Sequence, residues 1–254
     1  MQDLQITFLG TGTSHGIPVI GCECDVCKSS DPRDKRLRTA IHLQMPSLSI
    51  AVDTTPDFRT QCLRENITRL DAVLYTHSHV DHILGFDDLR RFCELENKAI
   101  PVHGSAETLA NLKRVFQYAF DGSARFPNYV RPDPVTMGGR FSLDGFDIVP
   151  VDLPHGRMTT NGLVFEKNGR RLFAYFTDCQ SVPAEAEEAA RGVEVLVIDA
   201  LRHTAHSTHL TVQSALEAAR RIGARQTWFI HMCHELGHAR TEADLPPDVR
   251  LAYD

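Results

Sequence analysis

The sequence predicts an α/β fold built from many short strands, on three observations. Apolar stretches of strand length recur along the chain, each bounded by turn residues. Stretches with helical spacing lie between some of them. Metal-capable polar residues stand where several of the apolar stretches end, which is where α/β sheets present binding groups.

The strands read, in order, as "LQITFLG", "AIHLQ", "LSIAVD", "DAVLYT", "FDIVPVD", "GLVFEK", "RLFAYFTD", "VEVLVID" and "TWFIH". Helical patterns cover residues 56–65, 86–95, 106–120, 183–191 and 211–222, the last with Thr211 as N-cap. No fixed-period repeat, low-complexity tract or long Pro/Gly linker interrupts the chain, so a single domain over 1–254 is expected. The most irregular stretch, 121–140, reads as a surface loop over a cleft.

With 254 residues, 42% of them hydrophobic, the chain can bury a substantial core. A formal net charge of -6 argues against the basic surface that tracks phosphates along a nucleic acid. A small substrate is therefore expected, with neither long nucleic acid nor a membrane as partner; the sequence leaves a homodimer open. The start "MQDLQITFLG" lacks the marks of a signal peptide and predicts a cytoplasmic location. Seven cysteines do not pair evenly into a disulfide framework, which fits a reducing compartment. Thirteen histidines are more than a solvated surface needs.

The histidines concentrate in "HSHVDH", where His77, His79, Asp81 and His82 pack four metal-capable side chains into six positions. Residues two apart in an extended segment share a side, so His77 and His79 can converge on one ion while Asp81 and His82 face a second. Three strand ends offer further donors: His155, Asp178 and His231. Taken singly, each is more often a hydrogen-bonded histidine or a turn cap. Together they complete two sets: His77, His79 and His155 for one ion, and Asp81, His82 and His231 for the other, with Asp178 bridging. Imidazole and carboxylate suit zinc, manganese or iron.

"HSHVDH" matches the H-x-H-x-D-H signature of the metallo-β-lactamase superfamily, and "FLGTGTSHGIP", "AVDTTPD" and "CECDVC" make the chain resemble the PhnP-like phosphodiesterases. The resemblance runs nearly end to end. It implies a four-layer αββα sandwich with a dinuclear site at the sheet edge. It also implies a separate structural zinc held by Cys22, Cys24, Cys27 and His234, three positions after His231. Cys233 and His238 are the nearby alternatives.

The implied function is hydrolysis of small or cyclic phosphodiesters by a hydroxide bridging two divalent ions, zinc or manganese. The resemblance points to His209 as the histidine that reaches the phosphate and serves the leaving group, while His203 and His206 read as capping or surface residues. Asp81 could share general-base duty. Asp53 matches a strand-end aspartate that orients a ligand histidine, or it is a turn residue. The glycines of "GTGTSHG" read as a tight turn near the site, with His15 a candidate substrate contact. Competing readings are thioester or lactone hydrolysis on the same fold, transfer-RNA processing, which lacks its expected substrate arm here, and a non-catalytic zinc module.

Overall fold

A computed structural model describes residues 4–122 and 129–254, and the apolar stretches form two sheets in it. Part of the loop expected over 121–140, residues 123–128, lies outside the described residues. The chain divides into two compact units, one of residues 1–9 and 39–138, the other of residues 10–38 and 139–254.

The first unit holds a six-stranded sheet ordered β1 (Gln5–Gly10), β2 (Ala40–Gln44), β3 (Ser49–Val52), β4 (Ala72–Leu74), β5 (Ile100–Gly104) and β6 (Pro132–Thr136). β2 runs antiparallel to β3, and β3 to β6 are mutually parallel. β3 and β4 are buried throughout, as parallel strands covered on both faces must be. Helices Phe58–Arg64, Leu89–Glu96 and Ala106–Val115 pack a core of Phe58, Phe86, Phe92, Leu109, Leu112 and Phe116 against Ala51 and Val73.

The helix expected over 106–120 breaks at Phe116, whose φ of -112° and ψ of 43° leave the helical region, and a separate turn of helix follows over Gln117–Phe120. The stretch expected as loop contains β6, whose sequence "PDPVT" hides it. Pro132 and Pro134 have no N–H to donate to a ladder, which suits a strand with one unpaired side, and β6 is an edge.

The second unit holds a seven-stranded sheet that adds β7 (Phe141–Leu143), β8 (Phe146–His155), β9 (Met158–Lys167), β10 (Arg170–Phe176), β11 (Val195–Asp199), β12 (Gln226–Ile230) and β13 (Val249–Leu251), laid side by side in reverse chain order. β7 to β10 are antiparallel neighbours, and β10 to β13 are parallel. Asp144-Gly145 and Asn168-Gly169, all four at positive φ, make the tight turns between β7 and β8 and between β9 and β10. Helices Ala184–Ala190 and Val212–Ile222 cover Leu196, Ile198 and Phe229. Thr211 caps the latter as expected: its hydroxyl accepts from Ser214 N–H, and Ser214 Oγ accepts from Thr211 N–H. Each unit thus contributes one sheet with its helices, the two-sheet α/β composition of the metallo-β-lactamase fold.

Candidate metal centres

In the first unit, the motif follows β4 and turns around Asp53, which follows the neighbouring β3. Asp53 is fully buried and holds a left-handed backbone with φ 66°, an uncommon state for a non-glycine residue that clusters at functional sites. Its Oδ1 accepts from Thr76 N–H at 2.9 Å; its Oδ2 accepts from Thr76 Oγ1 at 2.8 Å and from His82 Nδ1 at 2.7 Å. Burial pushes the Asp53 carboxyl up, against the pull of His82 and the two Thr76 bonds.

Those bonds fix where the imidazole protons sit. His82 Nδ1 carries a proton because it faces a carboxylate. The Thr76 hydroxyl spends its one proton on Asp53, so at 3.0 Å from His77 Nδ1 it accepts, and His77 is protonated there too. Both neutral rings then keep a lone pair on Nε2, the state a metal ligand needs. His77 Nε2 lies 3.0 Å from His79 Nδ1, and His82 Nε2 lies 3.5 Å from Asp81 Oδ2, so the four predicted donors converge in two pairs. His77, Asp81 and His82 are buried, and His79 is exposed.

In the second unit, three adjacent parallel strands deliver their C-terminal ends together. Asp178 follows β10, Asp199 ends β11, and His231 follows β12. Asp178 (φ 55°) and His231 (φ 60°) repeat the left-handed backbone of Asp53. Asp178 Oδ2 stands 3.2 Å from His231 Nε2, and Asp178 Oδ1 accepts from Thr177 Oγ1 at 2.6 Å. His155, ending β8, donates from Nδ1 to the Thr208 carbonyl at 2.9 Å and so keeps the same Nε2 lone pair as His77 and His82. Gly156 permits that approach: its φ is 64°, and a Cβ there would sit 3.0 Å from Thr208 Cγ2.

His209 stacks on His231 with ring centres 4.6 Å apart and lies 4.8 Å from the His155 ring. Its Nδ1 is held at 2.7 Å by Asp199 Oδ2, which also accepts from Cys179 N–H at 3.0 Å. Asp199 is fully buried, and burial pushes its carboxyl up to about 6 although His209 pulls it down. Sequence reasoning missed Asp199. Its only signal was an aspartate at the end of "VEVLVID", a strand-end pattern shared with Asp178.

The cysteine cluster lies within the second unit as well. Cys22, Cys24 and Cys27 Sγ stand 3.2, 3.5 and 3.7 Å from His234 Nδ1. Tetrahedral zinc with ordinary Zn–S and Zn–N bonds separates such atoms by roughly 3.5 Å, so the donor set fits the ion. The Cys27 N–H bonds the Cys24 sulfur and, against the push from burial and with help from Cys22, Cys27 and His234, holds that thiol down at about 6. Neither alternative, Cys233 nor His238, belongs to this group of converging donors. Cys233 Sγ accepts from Glu235 N–H, and His238 is buried beside Glu242. Fully buried Arg36 donates to the carbonyls of Cys233 and Leu236 at 3.0 and 2.6 Å, gripping the loop on both sides of His234.

The glycine turn is close-packed: a Cβ on Gly12 would lie 2.9 Å from the Arg36 carbonyl, and Met232 N–H donates to Thr11 O at 2.9 Å, beside His231 in sequence. His15 is exposed, with its backbone N–H on Thr13 Oγ1. His203 and His206 are also exposed. Among the described residues, no helix is long and apolar enough to cross a membrane.

Comparison with known proteins accords with this geometry. Residues 49–232 match the β-lactamase superfamily domain. A solved structure described as a new diphosphatase from the PhnP family is 39% identical, with a TM-score of 0.90 over 99% of this chain and 95% of that one. An octanoyltransferase of Porphyromonas gingivalis is 33% identical across 99% of this chain, which spans 50% of that protein's length. A coenzyme PQQ synthesis protein B of Methylobacterium radiotolerans is 28% identical over 77% of this chain and 72% of its own. A domain match over most of the chain, a near-complete overlay on a PhnP-family structure and the H-x-H-x-D-H motif on a buried aspartate converge: the chain belongs to the metallo-β-lactamase superfamily.

Proposed function

We propose that the chain is a metal-dependent hydrolase of small or cyclic phosphodiesters, working as one functional domain over residues 1–254. Superfamily membership supports hydrolysis, and the similarity to a PhnP-family diphosphatase supports phosphorus chemistry. The observation that carries the reading is the common protonation of His77, His82 and His155, each with its proton tied down at Nδ1 and a lone pair left on Nε2. In this reading His77, His79 and His155 would hold one ion, and Asp81, His82 and His231 would hold a second. Asp178 would serve both, and the donor set suits zinc or manganese. Two such ions would supply Lewis acidity toward phosphoryl oxygens and a bound water acidic near neutral pH.

The chain's own groups do the rest. Asp53 holds His82 directly and His77 through Thr76, so neither ring can turn its lone pair away. Asp199 holds His209 by Nδ1, so that in its protonated form the ring presents Nε2–H to the leaving oxygen. Asp81 accepts a proton from the attacking water. Cys22, Cys24, Cys27 and His234 close a separate zinc site that anchors the strand end carrying His231.

The test is a metal count with a turnover assay. About three ions per chain and manganese-dependent hydrolysis of bis(p-nitrophenyl) phosphate are expected, with kcat reduced about 10²- to 10⁴-fold in His209→Ala. One zinc per chain with no turnover would overturn the reading. Faster cleavage of a thioester than of the phosphodiester would move the chain to acyl hydrolysis.

A further inference from the structure

Thr208 sorts two histidines in opposite ways. Its carbonyl accepts from His155 Nδ1 at 2.9 Å, which leaves His155 with a lone pair on Nε2. Its N–H donates to His206 Nδ1 at 3.3 Å, and its Oγ1 stands 3.1 Å from the same nitrogen. A backbone N–H can only donate, so His206 Nδ1 holds the lone pair and the proton of the neutral ring sits on Nε2. Two imidazoles leaning on one residue are thereby set apart, one as a metal ligand and the other as a hydrogen-bond donor. The donor is in the right neighbourhood: the His206 ring centre is 5.2 Å from that of His209, and His206 is exposed to incoming molecules.

The loop is also held in place. Arg202 donates from Nε to Thr204 O at 3.2 Å and from Nη2 to Ala205 O at 3.1 Å, and pairs with Glu235 at 3.3 Å. A surface histidine with no task needs neither a fixed tautomer nor a pinned loop, whereas a recognition group gains affinity from both, because less freedom is lost on binding. His209 differs from it. With Nδ1 on Asp199, its Nε2 accepts when the ring is neutral and donates only when it is protonated. A ring that must give up its proton is a poor permanent anchor, and His206 Nε2–H has no such second duty.

We infer that His206 is a substrate-recognition residue whose Nε2–H donates to a phosphoryl oxygen of the substrate beside His209. This rests on the phosphodiesterase reading and replaces the sequence expectation of a capping or surface histidine.

The experiment uses the full-length, metal-loaded protein. Glutamine places an amide N–H near the Nε2 position, whereas asparagine places one near Nδ1. His206→Gln should keep KM for bis(p-nitrophenyl) phosphate within about threefold, and His206→Asn and His206→Ala should raise it about tenfold or more, with kcat within about twofold in all three, the loss expected of uniform binding. Equal KM values in all four proteins would overturn the inference, as would a fall in kcat alone. In parallel, ¹⁵N-histidine spectra of the zinc-loaded protein should show His206 protonated at Nε2, with that signal shifting as inorganic phosphate is added. A proton on Nδ1, or no shift at saturating phosphate, would also overturn it. Wild-type protein that cleaves no phosphodiester refutes the proposed function, and the phosphate titration still decides His206 on its own.

Discussion

His82 donates a hydrogen bond from Nδ1–H to Asp53 Oδ2 across 2.7 Å, between two side chains that are 1% and 0% exposed. A buried carboxylate on a strained backbone is costly, so the bond marks a position kept for what it does to the ring. Removing it in Asp53→Ala frees both the His82 ring and, through Thr76, the His77 ring. Metal affinity should fall about 10- to 100-fold, the usual loss when the support behind a ligand is removed. Competition titration with a zinc-binding dye measures this, with circular dichroism confirming native secondary structure. Unchanged affinity in a folded variant would refute the orienting role.

The Cys3His cluster makes a separable prediction. Cys24→Ser removes one of the four donors, so the zinc count after dialysis should drop by one while the other metal positions still fill. An ion present at a thousand times its dissociation constant stabilises by about 4 kcal/mol, and a loss of that order should appear as a lower Tm. Cys233→Ser should leave the count unchanged, since the Cys233 sulfur faces Glu235 N–H. A zinc lost from Cys233→Ser, or retained in Cys24→Ser, would reassign the cluster.

Gly156 carries two constraints at once, a left-handed φ of 64° and a Cβ position 3.0 Å from Thr208 Cγ2. Valine there must strain the backbone and push Thr208 away. A loss of about 1–3 kcal/mol is expected from the backbone alone, read as a lower urea midpoint. The shift of Thr208 should also release His155 Nδ1, so NMR should show His155 losing its single tautomer. A variant as stable as wild type would refute the close approach.

Much of the site was legible because its donors are dense. Four metal-capable residues in six positions have no packing role, and His155, Asp178 and His231 stood out as polar groups ending apolar strands. Asp199 ends a strand in the same way, yet its role depends on His209, ten positions later, and only the fold shows that bond. The opposite tautomers of His155 and His206 were invisible for the same reason, since they follow from which atoms of Thr208 each ring meets. In the fold, β6 was hidden by Pro132 and Pro134, and β5 by Pro101, because proline reads as a strand breaker until edge position or pairing is known. The break at Phe116 was hidden by the opposite effect. Helical periodicity continues through "VFQYAF" although the ring of Phe116 leaves the helix to stack on Phe86, with centres 4.6 Å apart.

Asp71 supplies the pH dependence. It lies just before β4, its Oδ2 accepts from Ser49 N–H at 2.9 Å, and its Oδ1 accepts from Lys98 at 2.8 Å and from Arg69 at 3.0 Å. Burial alone would push its carboxyl up, but Lys98, Ser49 N–H and Arg69 outweigh it, and the net direction is down. Between the folded and unfolded values the unfolded chain binds more protons, so stability rises with pH there. The contribution is therefore complete above the ordinary carboxylate value of about 4 and is lost as pH falls through the lower folded value. Asp71→Asn should be less stable than wild type by about 1–3 kcal/mol near neutral pH, the scale of charged hydrogen bonds to a buried group. Urea unfolding of both proteins from pH 7 to pH 2.5 should show that gap holding steady down to about pH 4 and closing below it. A gap that stays constant to the acid end, or widens there, would mean that the ion pair does not favour the ionised carboxylate in the fold.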